Sequence, residues 1–149
     1  MVTLRPLTSN DLHFLLEVRN DPSTRHFLED NNEFTLNECN KWFNEKKPIW
    51  FIIEVNKTSV GYVRTKEDEI GVDIHPKFRR KGYARAAYKK YLQDKDYASL
   101  WVFEDNFARN LYIDLGFKDT GETQINRGRL EYRMEWKKRI KIFNFIILL

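Results

Sequence analysis

The chain has a single cysteine, Cys39, so no internal disulfide can form and a reducing, cytoplasmic setting is expected. No amino-terminal signal sequence stands ahead of Met1 to Leu7, which already alternate apolar and polar residues as a strand does. No apolar run reaches the ~20 residues that span a bilayer, so no transmembrane segment is expected. Internal repeats and low-complexity linkers are absent, leaving one domain over 1–137 and a tail over 138–149. The body also lacks a long block of one charge. Its 26 basic and 22 acidic residues leave a net charge of +4, too little to argue for nucleic acid. A small anionic ligand accounts for that balance with fewer assumptions.

What is present is a regular alternation of elements. Val2 to Arg5 reads as a strand, and Ser9 to Asp11 supply capping chemistry for a helix with Leu12, Leu15, Leu16 and Val18 on one side. Asn20-Asp21-Pro22 stops it. Thr35 and Glu38 have the spacing of a capping box, opening a second helix whose apolar side carries Trp42 and Phe43. Strands follow at 49–55, 60–64 and 70–74, the last ended by Pro76. A helix over 84–93, a strand over 100–103, a helix from Asp105 or Asn106 to Gly116, and strands at 117–121 and 130–136 complete the body. The order is mixed α/β, with a helix crossing between neighbouring strands. The tail turns from Lys137-Lys138-Arg139 to eight largely apolar residues, which suits an extra edge strand, a homodimer contact or a packed segment.

Arg79-Arg80-Lys81-Gly82-Tyr83-Ala84 lies between a strand end and a helix start. Gly82 permits a tight turn and close approach of a ligand, and Ala84 lets the helix begin close to the strand. Free amides of a first helical turn favour an anion, and Arg79, Arg80, Lys81 and Arg85 add charge around the same point. A diphosphate matches in size and charge. The second glycine and the Gly-Lys-Ser/Thr ending of a Walker loop are missing.

With Arg79, Gly82 and Ala84 meeting the pattern Gln/Arg-x-x-Gly-x-Gly/Ala, and Leu111-Tyr112-Ile113-Asp114-Leu115-Gly116-Phe117 meeting Leu-Tyr-x-x-x-Gly-Phe, the chain resembles the GNAT acetyltransferase superfamily over roughly residues 2 to 136. That resemblance implies a mostly antiparallel sheet flanked by helices, acetyl-CoA as co-substrate with no metal, and direct transfer of acetyl to a primary amine. It implies a sheet split between 70–74 and 100–103, with the pantetheine arm bonded to backbone of Val72 and Ile74, and a pyrophosphate on residues 79 to 85. Tyr112 stands at the position of the general acid. The usual cofactor-contacting Asn falls on Asp105 by one register and on Asn106 by another; Asn106 is the choice. Where some relatives carry a basic Glu, this chain has Trp101, leaving Asp73 as the nominated base beside Asp68, Glu69, His75 or a water chain.

For the amine, Arg19, Asn20 and Arg25 followed by Trp42-Phe43 resemble a branch that acetylates nucleotide-linked amino sugars, with Cys39 replacing that branch's His. Arg19 and Arg25 would pair with a substrate diphosphate and Trp42 would stack on a ring. A protein amino-terminal or small-amine acetyltransferase is the alternative, and it predicts acidic residues in place of arginines on the acceptor side. An inactive module that binds acetyl-CoA is a third reading.

Overall fold

A computed structural model describes residues 1–142 and 145–148, with side chains through residue 139. Seven strands form one sheet in the order β1-β2-β3-β4-β5-β7-β6. They are β1 (Val2–Pro6), β2 (Phe51–Val55), β3 (Thr58–Lys66), β4 (Glu69–Ile74), β5 (Tyr97–Phe103), β6 (Lys118–Asn126) and β7 (Arg129–Lys137). All neighbours are antiparallel except β4 and β5, which are parallel and joined by the chain's crossover helix. Mixed α/β with a mostly antiparallel sheet is therefore the observed fold.

The helices are α1 (Leu12–Arg19), α2 (Pro22–Arg25), α3 (Leu36–Lys46), α4 (Tyr83–Leu92) and α5 (Ala108–Leu115). Thr35 and Glu38 form the expected reciprocal capping box on α3. Pro22 ends α1 as expected but also starts α2, where its missing N–H costs nothing and the Asp21 side chain accepts from Ser23. Periodicity over four residues carries no signal for so short a helix. Gly116, at φ 102°, ends α5 in the left-handed region open to glycine.

The two faces of the sheet carry separate cores. Leu12, Leu15, Val18 and Cys39 from α1 and α3 pack on Ile52 and Tyr62. On the other face Tyr88 and Leu92 of α4 pack with Leu100, Val102, Phe117 and Met134. After β7 the tail forms a hairpin of its own, β8 (Arg139–Ile142) against β9 (Phe145–Leu148), in a separate two-stranded sheet. It adds no strand to the edge of the main sheet. The tail residues 143, 144 and 149 lie outside the described residues. Among the described residues no helix is long and apolar enough to cross a membrane.

Candidate active site

The loop between β4 and α4 leaves the first turn of α4 without a side-chain cap. Gly82 sits at φ 80° as the residue before α4, and no side chain caps the helix. A Cβ at Gly82 would point into open space, so the cost there is the left-handed backbone and the room a ligand would lose. Arg80 is also left-handed, at φ 60°, a conformation costing a non-glycine residue roughly 1 kcal/mol. Such strain is concentrated where a loop is held in shape for binding. Arg80 and Lys81 are exposed and form no ion pair among the described residues. Arg85 pairs with Asp114 at 3.2 Å on the surface.

Arg79 differs from the expectation. Its Nε donates to the Ile74 carbonyl, and its two terminal nitrogens donate to the hydroxyls of Ser23 and Thr24 on α2. Three of its five donors are spent inside the protein, so it fastens the loop to α2, and two N–H groups remain.

The sheet splits as expected. β4 and β5 share a single register pair, Glu69 with Ser99, and separate beyond it. His75 N–H bonds to Val60, so by alternation the polar backbone groups of Val72 and Ile74 face the gap. The expected added-strand contacts need one revision there. The Val72 N–H already donates to the Tyr88 hydroxyl at 3.1 Å, and the Ile74 carbonyl receives Arg79. What faces the gap is the Val72 carbonyl and the Ile74 N–H, one acceptor and one donor.

Tyr88 passes the bond on, donating to the Tyr112 hydroxyl at 3.3 Å while the two rings meet edge to face. With its acceptor side filled by Val72 and its proton committed to Tyr112, Tyr88 leaves the Tyr112 proton as the mobile one. Burial pushes the Tyr112 phenol above its usual range, and the bond from Tyr88 only partly offsets this, so the proton is present at neutral pH. Sequence reasoning missed Tyr88; its four-residue spacing from Ala84 on α4 was the available sign.

The acid–base candidates divide sharply. Asp73, one-tenth exposed, accepts from Arg64 Nε at 2.8 Å, so its carboxylate is held in an ion pair across β3 and β4. The Arg64 guanidinium lies so close over Gly71 that a Cβ there would stand 2.3 Å from it. His75 is bonded on both ring nitrogens, to Glu17 and to the Lys77 N–H, and serves as a strand-end cap. Asp68 gives its carbonyl to Ser99 N–H and stays on the surface with Glu69. Glu131 on β7, which the sequence reading passed over, is only 2% exposed, lines the cavity and has one oxygen on Gln124. Burial raises its pKa, with nearby Glu29 adding to the shift.

The acceptor-side arginines are committed elsewhere than expected. Arg19 donates to the carbonyls of Asp30 and Asn32 and lies over the Phe34 ring; Arg25 donates to the carbonyls of Asn20 and Asn31 and pairs with Glu33. Asn20 grips both backbone groups of Phe34. All three shape the segment 26–34. Trp42 meets Trp50 edge to face at 4.8 Å within the α1/α3 core and is not a stacking platform. Asn106 caps, its side-chain oxygen accepting from Ala108 N–H, while Asp105 pairs with Arg129. Asn106 nonetheless lines the cavity.

One cavity of about 810 Å³ joins these parts. Its lining includes Arg80, Gly82, Tyr83 and Ala84 of the loop before α4, Leu111 and Tyr112 of α5, and Glu29, Asp30 and Glu131. Uncapped amides, free cations and a split sheet fit a coenzyme A pyrophosphate and pantetheine arm. Among the described residues no cluster suited to a metal is present.

The family model for an acetyltransferase (GNAT) domain matches residues 1–96. Curated protein sequences give no match. Among solved structures, a spermidine N-acetyltransferase from Vibrio cholerae in complex with CoA and spermine is 24% identical, with 91% of this chain and 95% of that chain covered and a TM-score of 0.82. A putative acetyltransferase from Salmonella typhimurium with acetyl-CoA is 18% identical, covering 92% and 94%, at 0.74. A ribosomal-protein-alanine N-acetyltransferase from Brucella melitensis is also 18% identical, covering 91% and 99%, at 0.74.

Proposed function

Since this chain belongs to the GNAT acetyltransferase family and is an N-acetyltransferase that uses acetyl-CoA, we propose that its acceptor is a small primary amine. The supporting observation is the exchange of roles at the acceptor end, where carboxylates of Glu29, Asp30 and Glu131 line the cavity and the arginines are folded into loop contacts. An ammonium is drawn to such a rim and a nucleotide diphosphate is not. The match to a spermidine acetyltransferase fold is consistent with this reading. The amino-sugar reading rests on Arg19 and Arg25, which bond to carbonyls of the loop here, and on Trp42, which packs on Trp50.

Acetyl-CoA, when bound, supplies an activated thioester. Arg80, Lys81 and the first amides of α4 hold its pyrophosphate, and the Val72 carbonyl with the Ile74 N–H align its arm. Glu131 accepts the ammonium proton, directly or through one water; its raised pKa brings it nearer to the pH at which a general base is effective. Tyr112 donates its proton to the departing sulfur, a transfer from a phenol of reference pKa ~10 to a thiolate of ~8.5 that becomes favourable only as charge develops. Tyr88 holds Tyr112 in place.

Incubation with acetyl-CoA and small amines, nucleotide amino sugars and peptides, read as free thiol, tests the proposal. Turnover confined to small amines is expected. Turnover of nucleotide sugars alone, or none with any amine, would defeat it.

A further inference from the structure

We propose that the Trp101 indole is the platform on which the acceptor's carbon stem lies, so that amines with an apolar stem are preferred to those with a polar or doubly charged one; this deepens the small-amine reading and rests on it. The four tryptophans differ in what they touch. Trp42 and Trp50 meet edge to face, Trp50 also stacks on Tyr62, and Trp136 packs on the core beneath α4 and α5. Trp101 is half-buried, lines the cavity and joins none of the hydrophobic cores. Among the described residues none stacks on its ring and none accepts from its N–H. An indole face left open in a cavity is a surface on which an apolar group gains by leaving water.

The second observation is position. On β5, Leu100 and Val102 lie in the core with α4 and α5, so Trp101 between them points to the opposite face, the one α1 and α3 cover over β2 and β3. The last pair before the sheet splits is Glu69 with Ser99, so two residues on, Gly71 and Trp101 stand across the opening from one another. Gly71 brings no side chain, and the Arg64 guanidinium that lies over it is paired with Asp73, so that wall is close to neutral. On the other side β7 sets Arg133 opposite Trp101 and Glu131 opposite Phe103. Glu131 is thus the diagonal neighbour of Trp101 on the same face, roughly 7–8 Å away. Arg133 turns to the Tyr97 hydroxyl and Glu122 and leaves the indole uncovered. β5 therefore runs between the opening, where the thioester arrives, and the carboxylate that takes the proton. An amine within reach of both lies over Trp101.

The third is the charge of the reacting amine. Glu29, Asp30 and Glu131 draw an ammonium, but the nitrogen attacks only once its proton has gone, and a neutral amine is no longer held by carboxylates. Contact between the stem and the indole outlasts that loss and persists into the transfer, which is when binding speeds a reaction.

The test compares hexylamine, hexamethylenediamine and ethanolamine as acceptors with the full chain, read as free thiol. The wild type should favour hexylamine over each of the others by roughly tenfold or more in kcat/KM, the effect of two or three methylene groups leaving water. Trp101→Ala should bring the three within a few-fold of one another, and Trp101→Phe should restore part of the preference. Should the alanine variant fail to fold, Trp101→Gln, which keeps bulk and loses the ring, carries the same expectation. The diamine or ethanolamine used as well as hexylamine, or a preference that survives loss of the ring, overturns the platform and leaves the small-amine reading standing. Should no amine turn over, thermal melting in the presence of CoA decides. A rise in Tm with hexylamine but not ethanolamine, absent in Trp101→Ala, supports the platform while the small-amine reading falls, and no such rise overturns both.

Discussion

The two ends of the cavity use arginine in opposite ways. In the loop before α4, Arg80 and Lys81 stand exposed and Arg79 alone reaches inward, to Ile74 and α2. At the acceptor end Arg19 and Arg25 reach inward, and their donors close on carbonyls of the segment 26–34. Arg127 and Arg129, from the turn between β6 and β7 and the start of β7, add bonds to the carbonyls of Leu28 and His26. The same side chain is left in solvent in one place and is a scaffold in the other. What decides between them is whether unsatisfied backbone lies within its reach.

The sharpest way to break the contrast is Gly82→Glu. A side chain at φ 80° strains the turn and brings a carboxylate to the anion site, so acetyl-CoA affinity should fall on the order of a hundredfold or more by calorimetry. Retained affinity would remove the loop from the site. Tyr112→Phe should slow kcat roughly a hundredfold with acetyl-CoA affinity unchanged, and an unaltered rate would end its role as acid. Arg19→Ala should lose about 2 kcal/mol in denaturant unfolding, for two carbonyl bonds and a ring contact, while acetyl-CoA affinity stays as it was. A loss of cofactor binding instead would contradict its assignment as scaffold.

Glu131→Gln sharpens the acceptor end further. A carboxyl whose folded pKa is raised contributes stability that is present below its ordinary pKa of 4.5 and lost as pH rises through the folded value. Removing the charge should therefore raise the Tm at neutral pH by a few degrees, with no gain below pH 4. Activity should fall, because a base works only when deprotonated.

The element order and the uncapped helix start were legible in the sequence because each is local, whereas the split sheet was expected only from the family resemblance. Pro76, Gly82, Gly116 and the Thr35–Glu38 pair write their geometry into neighbouring residues. The acceptor end was not legible, for a reason particular to long polar side chains. Arg19, Arg25 and Arg79 each have several donors, and only the folded path of 26–34 and α2 shows which acceptors they find. The Asp73 ion pair was hidden because Arg64 is nine residues away and adjacent only once β3 and β4 pair. Glu131 sits in a strand of alternating charge, where nothing in the pattern separates a covered carboxyl from a solvated one. Tyr88 resembled an ordinary core aromatic, and by its ring it is.

The ties to segment 26–34 join guanidinium to carbonyl, and neither partner changes protonation at any pH the protein meets. These ties thus hold the segment independently of pH. Glu131 and its neighbours can take up or release protons through a reaction cycle, and the frame around them keeps its shape. Chemistry and architecture at that end answer to different variables.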